Sequence, residues 1–127
     1  MFGDAEVMNS FAVDDFDRAK DFYGDTLGVR TEILDEANGL LSLKHPGGHD
    51  TLVYLKPDFV PATYTVLGFQ VDDVDAAVDG LAERGVEIER YEGFDQDEKG
   101  ISRGNGPDIA WFKDPAGNIL AVLSQQQ

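Results

Sequence analysis

The sequence predicts an α+β fold made of two βαβββ units, and three observations carry that expectation. The first is an internal repeat: seven of the eleven residues in Phe11–Asp21 (FAVDDFDRAKD) recur in Phe69–Asp79 (FQVDDVDAAVD), a spacing of 58 from Phe11 to Phe69. Self-similarity at a fixed interval marks one supersecondary unit written twice. The second is that each copy passes from a strand-like apolar run into a helical stripe, and then reaches a Gly-Val pair at Gly28-Val29 or Gly85-Val86. The third is the set of short apolar runs that follow each pair, parted by turns rich in Gly, Pro and Asn.

In chain order, Met8–Val13 reads as a strand and Asp15 as the cap of a helix, because its short carboxylate can accept from the free N–H groups of the first turn. Phe16, Ala19, Phe22 and Tyr23 recur at helical spacing and predict one buried stripe. Gly28 ends the helix, since glycine takes the left-handed conformation that reverses the chain. Strands are expected at Val29–Leu34, Gly39–Lys44 and Thr51–Lys56, with turns at Glu36-Ala37-Asn38-Gly39 and His45-Pro46-Gly47-Gly48. The second copy predicts a strand at Val66–Val71, a cap at Asp73, and a helical stripe of Val74, Ala77, Val78 and Leu81 that stops at Gly85. Strands at Val86–Tyr91, Ile109–Lys113 and Ile119–Leu123 complete it, the last two joined by the turn Asp114-Pro115-Ala116-Gly117-Asn118. The first unit is thus 7–56 and the second 66–124. A linker at 57–65 carries Pro57 and Pro61, and residues 1–127 form one domain. The charged stretch Gly93–Gly106, with four glycines, is either a functional loop or a mobile one.

Composition narrows the function. The chain of 127 residues carries 25 acidic and 10 basic side chains, a formal net charge of −15. Such a surface repels phosphate backbones, so nucleic acid is not an expected partner. The same charge fits solubility or a high-salt habitat, or else a field that favours cationic ligands. There is no cysteine, hence no disulfide framework or thiol chemistry. The N-terminal MFGDAEVMNS is acidic without an apolar core and is not a signal peptide, and no apolar run approaches the roughly 18 residues of a membrane span. The expected location is the cytoplasm. Two units of about 60 residues would each be marginal alone, so they share a core or pair with a second chain.

Strand parity sorts the side chains. Phe11 and Val13 should pack on the first helix, leaving Met8, Ser10 and Ala12 on the opposite face. Phe69 and Val71 do the same in the second copy, leaving Val66, Gly68 and Gln70. Leu120 and Val122 point to the helix, and Ile119, Ala121 and Leu123 point away. Trp111 and Phe112 take opposite faces, and parity alone does not say which.

At this level of detail the chain resembles the vicinal oxygen chelate superfamily, which includes glyoxalase I, extradiol dioxygenases, methylmalonyl-CoA epimerase and the fosfomycin- and bleomycin-resistance proteins. The likeness rests on two βαβββ units whose first strands each end in V-x-D, on D-F-Y-x-x-x-L-G from Asp21 to Gly28, and on F-x-D-P-x-G-N from Phe112 to Asn118. It implies a curled eight-stranded mixed sheet, a cup with helices on its outer face, often completed by a second subunit as a homodimer. It also implies an inward Trp111, with Phe112 in the core. The family's enzymes hold a divalent metal at four positions, which by motif register fall here on Met8, Tyr54, Val66 and Ala121. Alkyl groups and a thioether do not suit such cations, so no metal or other cofactor is expected.

Other chemistry finds little support. His45 and His49 straddle a Pro-Gly-Gly turn rather than one face of a helix, and read as an exposed turn. The carboxylates Asp14, Asp15, Asp17, Asp72, Asp73 and Asp75 gather at helix starts, where they cap and complement the dipole. No serine stands in a nucleophile elbow, and Gly104-Asn105-Gly106 bridges no strand to a helix and so is not a phosphate loop. What remains is a cup lined by Ser10, Tyr54, Gln70, Trp111 and Ala121, with Arg103 on the long loop able to close over a ligand or simply be solvated. That lining suits a small molecule. The expected function is a metal-free small-molecule-binding protein that sequesters an aromatic or cationic compound. The alternative is a glyoxalase- or dioxygenase-like enzyme whose metal ligands have moved.

Overall fold

Asp15 and Asp73 open the two helices, as the repeat requires. The Asp15 carboxylate accepts from the Arg18 N–H at 3.0 Å and the Asp73 carboxylate from the Ala76 N–H at 3.1 Å. Each cap satisfies a donor that the first helical turn leaves free, and its removal typically costs about 1 kcal/mol. The chain is described by a computed structural model over residues 1–104 and 106–125. It divides into two units, Met1–Pro61 and Ala62–Gln127.

The first unit runs through β1 (Asn9–Val13), α1 (Phe16–Asp21), a wider π-helical turn at Phe22–Thr26, β2 (Arg30–Asp35), β3 (Leu40–Lys44) and β4 (Asp50–Leu55). The π turn is closed by the Leu27 N–H donating to the Phe22 carbonyl, and the Val29 N–H reaches back to Tyr23 at 2.9 Å. Gly28, at φ 72°, makes that reversal possible. Its sheet has the order β1-β4-β3-β2, with β1 parallel to β4 and the other pairs antiparallel. Phe11, Val13, Leu41 and Val53 are buried with Phe16, Ala19 and Tyr23 of the helical segment. The Phe11 ring meets Tyr23 at 5.8 Å. Gly39 is required at the tip before β3: its φ is 69°, and a Cβ there would lie 2.5 Å from the Leu55 Cβ.

The second unit runs through β5 (Thr65–Val71), α2 (Val74–Glu83), β6 (Ile109–Lys113) and β7 (Ile119–Ser124). Its sheet has the order β5-β7-β6, β5 parallel to β7 and β6 antiparallel to it. Val74, Val78 and Leu81 of α2 are buried, and α2 packs on β6 and β7, where Ala110, Phe112, Leu120 and Val122 are buried as well. The β6–β7 hairpin closes on Asp114, which is 4% exposed. Its carboxylate accepts from the Ala116 and Asn118 backbone N–H groups and from the Asn118 side-chain amide. Three donors on one buried carboxylate fix the turn the sequence places there.

Two mixed sheets with two helices make this an α+β chain, as expected, but the described residues hold seven strands rather than eight. The missing one is Val86–Tyr91. Only Ile88 pairs, in a single antiparallel bridge to Phe112, with the Glu89 N–H donating to the Trp111 carbonyl at 2.8 Å. The reason is Gln96. Its side-chain oxygen accepts from the Tyr91 N–H, and its side-chain nitrogen donates to the Glu89 carbonyl. Two of the backbone groups that a strand would offer a neighbour are therefore taken by one carboxamide, and the ladder stops.

Candidate functional site

Register, not parity alone, now fixes which side chains share a face. In the first sheet Ser10 pairs with Leu52, which pairs with Ser42; Ala12 pairs with Tyr54, which pairs with Leu40. These rows lie opposite the buried Phe11–Val53–Leu41 row. Ser10 and Tyr54 thus share the sheet face turned away from the helix, with Ser10 exposed and Tyr54 half-buried. In the second sheet Gln70 pairs with Leu123 and Leu123 with Ile109, while Gly68 pairs with Ala121 and Ala121 with Trp111. Gln70 and Trp111 share the face away from α2. Phe112, 2% exposed, is the one that enters the core.

Trp111 does not stand alone. The Tyr91 ring meets it at 5.7 Å and 70°, and the Phe94 ring at 4.9 Å and 59°; Tyr91 and Phe94 meet each other at 6.4 Å. Tilted and edge-on rings at these separations are favourable beyond the area they bury. Trp111 and Tyr91 are half-buried, and Phe94 is 54% exposed. Beside the indole, the neighbouring positions in its row carry only a methyl group (Ala121) and a hydrogen (Gly68). A Cβ at Gly68 would meet the Leu123 Cδ2 at 3.3 Å. Glu89 and Lys113 form an ion pair of 3.5 Å in the same region. Burial, and then the charge of Glu89, push the Tyr91 phenol above its ordinary value of 10.0, so it remains a hydroxyl at neutral pH.

The segment that presents Phe94 is built, not loose. Besides its bonds to Tyr91 and Glu89, the Gln96 nitrogen donates to the Gly100 carbonyl at 2.8 Å. Asp97 accepts from the Lys99 and Ile101 N–H groups at 2.9 Å each. Those bonds, the Ile101 one foremost, together with Arg103, hold the carboxyl below the usual carboxylate range. Ile101 is fully buried. Ser102 bridges both Gln96 and Ile109. Gly100 has φ 90°, and a Cβ there would fall 2.5 Å from the Ile88 Cγ2, so no other residue fits without displacement. The described part of Gly93–Gly106 is thus tied by hydrogen bonds along its length; Asn105 lies outside the described residues.

Arg103 is engaged by three carboxylates rather than simply solvated. Its guanidinium donates to Asp75 at 2.9 and 3.0 Å, to Asp108 at 2.8 Å and to Asp97 at 3.2 Å. Lys99 adds pairs to Asp79 and Asp75. The hydrogen bonds from Arg103 hold Asp75 below the carboxylate range. The arginine thus ties the loop to the start of α2 and the start of β6.

The two histidines also depart from expectation. They are half-buried rather than solvated. The His49 Nε2 lies 3.0 Å from the Asn9 Oδ1, the Thr51 hydroxyl donates to that same oxygen at 2.8 Å, and the His45 Nε2 lies 2.9 Å from the Thr51 Oγ1. The rings stack at 6.1 Å. Burial, then the neighbouring His49, push the His45 pKa below 6.5. The sequence carries no local signal for this network, since Asn9 and His49 are 40 residues apart. Tyr91 and Phe94 were equally hidden as site residues, though Glu89 and Tyr91 do share strand parity with the side chains around Trp111.

The positions that the resemblance marks for metal do not fit one. Ala121 is 1% exposed and contributes a methyl group, and Val66 sits at the irregularity between the Thr65 and Leu67 pairings. Met8 is 52% exposed ahead of β1, and a thioether is too soft for the cations concerned. Tyr54 alone offers oxygen, as a phenol. Among the described residues, no three His, Asp or Glu side chains gather as a ligand set, and no helix is long and apolar enough to cross a membrane.

Comparison with known proteins places these features in a family. The family model described as the Glyoxalase/Bleomycin resistance protein/Dioxygenase superfamily matches residues 6–122. TnmS3, an antibiotic binding protein from Streptomyces sp. CB03234, is 26% identical; the match covers 97% of this chain and 98% of that one, with a TM-score of 0.73. A glyoxalase/bleomycin resistance protein from the same organism is 28% identical over 91% of this chain and 96% of that one, with a TM-score of 0.68. A superfamily member from Sphaerobacter thermophilus DSM 20745, at 24% identity over 94% and 98% with a TM-score of 0.71, shares the fold. No curated protein matches.

Proposed function

We propose that this chain, which belongs to the glyoxalase/bleomycin resistance protein/dioxygenase superfamily, is a metal-free binding protein that sequesters an aromatic or cationic small molecule. The observation that carries the reading is the aromatic face of the second unit. Trp111 stands half-buried on the side of the sheet away from α2, with Tyr91 packed edge-on and Phe94 tilted against it. Indole is the strongest of the aromatic partners for a cation, and a net charge of −15 raises the local concentration of positive ligands. Gln70 supplies a hydrogen-bonding group on the same face. Within the first unit, taken by itself, Ser10 and Tyr54 share the face of their sheet away from its helix and are proposed as ligand-binding residues in their own right. Arg103 contributes indirectly, by bracing the loop that carries Phe94. That one similar protein is named for antibiotic binding supports a ligand of that general kind.

The metal-free part of the reading is supported by the donor chemistry at Met8, Tyr54, Val66 and Ala121, two of which have no lone pair to offer. The reading also includes a cytoplasmic homodimer, consistent with a cysteine-free chain built from two short units. Its test is titration of the purified protein with acridine, 9-aminoacridinium and 9-fluorenone while following Trp111 emission. A saturable change with at least one of them is expected, the cation binding more tightly at low salt. No saturable change with any of the three refutes the binding reading. Stoichiometric metal in the purified protein refutes the metal-free reading, and a monomeric mass in light scattering refutes the dimer.

A further inference from the structure

The Tyr91 hydroxyl is shut off from solvent and, among the described residues, has no hydrogen-bond partner. Buried polar groups are almost always paired, and an unpaired hydroxyl in a native structure calls for an explanation. This one lies on a ring that contacts both Trp111 and Phe94, at the aromatic face assigned to ligand above. An unsatisfied proton is the costlier deficit, because a hydroxyl oxygen tolerates empty lone pairs better than its hydrogen tolerates a missing acceptor. Burial and the adjacent Glu89 keep the phenol protonated, so the group is available as a donor. Phe94 is the exposed member of the three rings, so its place against the indole is the one open to solvent.

We propose that the Tyr91 hydroxyl is the specificity-determining donor of this site, and that its ligand is a planar aromatic compound bearing a ring carbonyl. The flat ring takes the place of the Phe94 phenyl against the Trp111 indole, and the carbonyl oxygen accepts from Tyr91. The inference rests on the binding reading and narrows it: stacking on Trp111 accepts any flat ring, whereas the hydroxyl selects those with an acceptor. Until the ligand arrives the unpaired hydroxyl destabilises the protein, so binding strength is stored at the expense of the free state.

The test compares 9-fluorenone with fluorene, which differ by a carbonyl in place of a methylene, by equilibrium dialysis against the wild type and Tyr91→Phe. The wild type is expected to prefer the ketone by about five- to tenfold, the worth of one neutral hydrogen bond. Tyr91→Phe is expected to bind both probes alike, at the affinity the wild type has for fluorene. Independently of any probe, Tyr91→Phe should raise the thermal unfolding midpoint, because it deletes a buried unpaired group and leaves the ring. An undiminished preference for the ketone in Tyr91→Phe overturns the inference while leaving the binding reading intact. So does a lowered midpoint, which would mean that the hydroxyl is satisfied in the free protein. If neither probe binds the wild type while acridine or 9-aminoacridinium does, the inference falls and the binding reading stands; if none of these compounds binds, both fall.

Discussion

Replacing Gln96 with alanine removes one carboxamide and three hydrogen bonds at once. The Tyr91 N–H loses its acceptor at 2.9 Å, and the carbonyls of Glu89 and Gly100 lose their donor at 2.9 and 2.8 Å. A net hydrogen bond contributes about 1 kcal/mol, and more where the orphaned partner stays buried, so the loss is about 2–4 kcal/mol. For a domain of this size that lowers the thermal midpoint by about 10 °C. The consequence is also local, because these bonds fix both ends of the segment that holds Phe94 against Trp111. Circular dichroism melts should record the drop, and the emission of the single Trp should shift to the red as Phe94 leaves it. Gln96→Glu is no remedy. It keeps the acceptor for Tyr91 but turns a carboxylate oxygen toward two carbonyls, and it should be at least as unstable at neutral pH. A midpoint for Gln96→Ala within about 2 °C of the wild type, or an unchanged emission maximum, would refute the view that the carboxamide replaces a strand and braces the loop.

Three further outcomes follow from the same structure. His45, held below its ordinary pKa of 6.5 by burial and by His49, takes up its proton more readily in the unfolded chain. Its contribution is complete above about pH 6.5 and is lost as pH falls from there toward the folded value; the melting point should fall between pH 7.5 and 5.5, less so in His45→Gln, and equal slopes would exclude the histidine. Arg103→Met frees Asp75, Asp97 and Asp108 from their shared cation, so the variant should melt lower and recover with added salt as the carboxylates are screened; a deficit independent of salt would contradict the electrostatic role. Gly68→Val places a side chain in the row of Ala121 and Trp111, where the Leu123 methyl can yield; it should weaken 9-fluorenone binding at least about tenfold with little change in melting, since a β-branched residue suits a strand, and unaltered affinity would place the ligand elsewhere.

Much of this molecule was legible because the determinants are local. Asp15 and Asp73 cap the helices in which they were read, Gly28 and Gly85 reverse the chain with φ of 72° and 77°, and Asp114 organises its own hairpin turn. Parity sorted Ser10, Tyr54, Gln70 and Trp111 onto the faces where they lie, because a strand's period of two leaves no choice once one buried residue is known. What sequence reasoning could not supply was the behaviour of Gln96. Val86–Tyr91 has the alternation of a strand, and only a side chain five to seven residues further on, folding back to compete for its backbone groups, prevents the pairing; no spacing rule marks a glutamine for that role. The same gap hid Tyr91 and Phe94, which reach Trp111 through that displaced segment. It hid Arg103's carboxylates too, since Asp75 lies 28 residues away. The His45–Thr51–Asn9–His49 network joins side chains that no spacing rule relates.

The account stands on a ligand face centred on Trp111, and the chain's one tryptophan gives that residue a signal of its own. In a proton–nitrogen correlation spectrum of the wild type, the lone indole N–H resonance reports whether a compound settles there. On addition of 9-fluorenone the account predicts a saturable displacement of that resonance, accompanied by the backbone amides of Tyr91 and Phe94, at the concentration where dialysis finds half-occupancy. An indole resonance that stays fixed while 9-fluorenone is bound would contradict it.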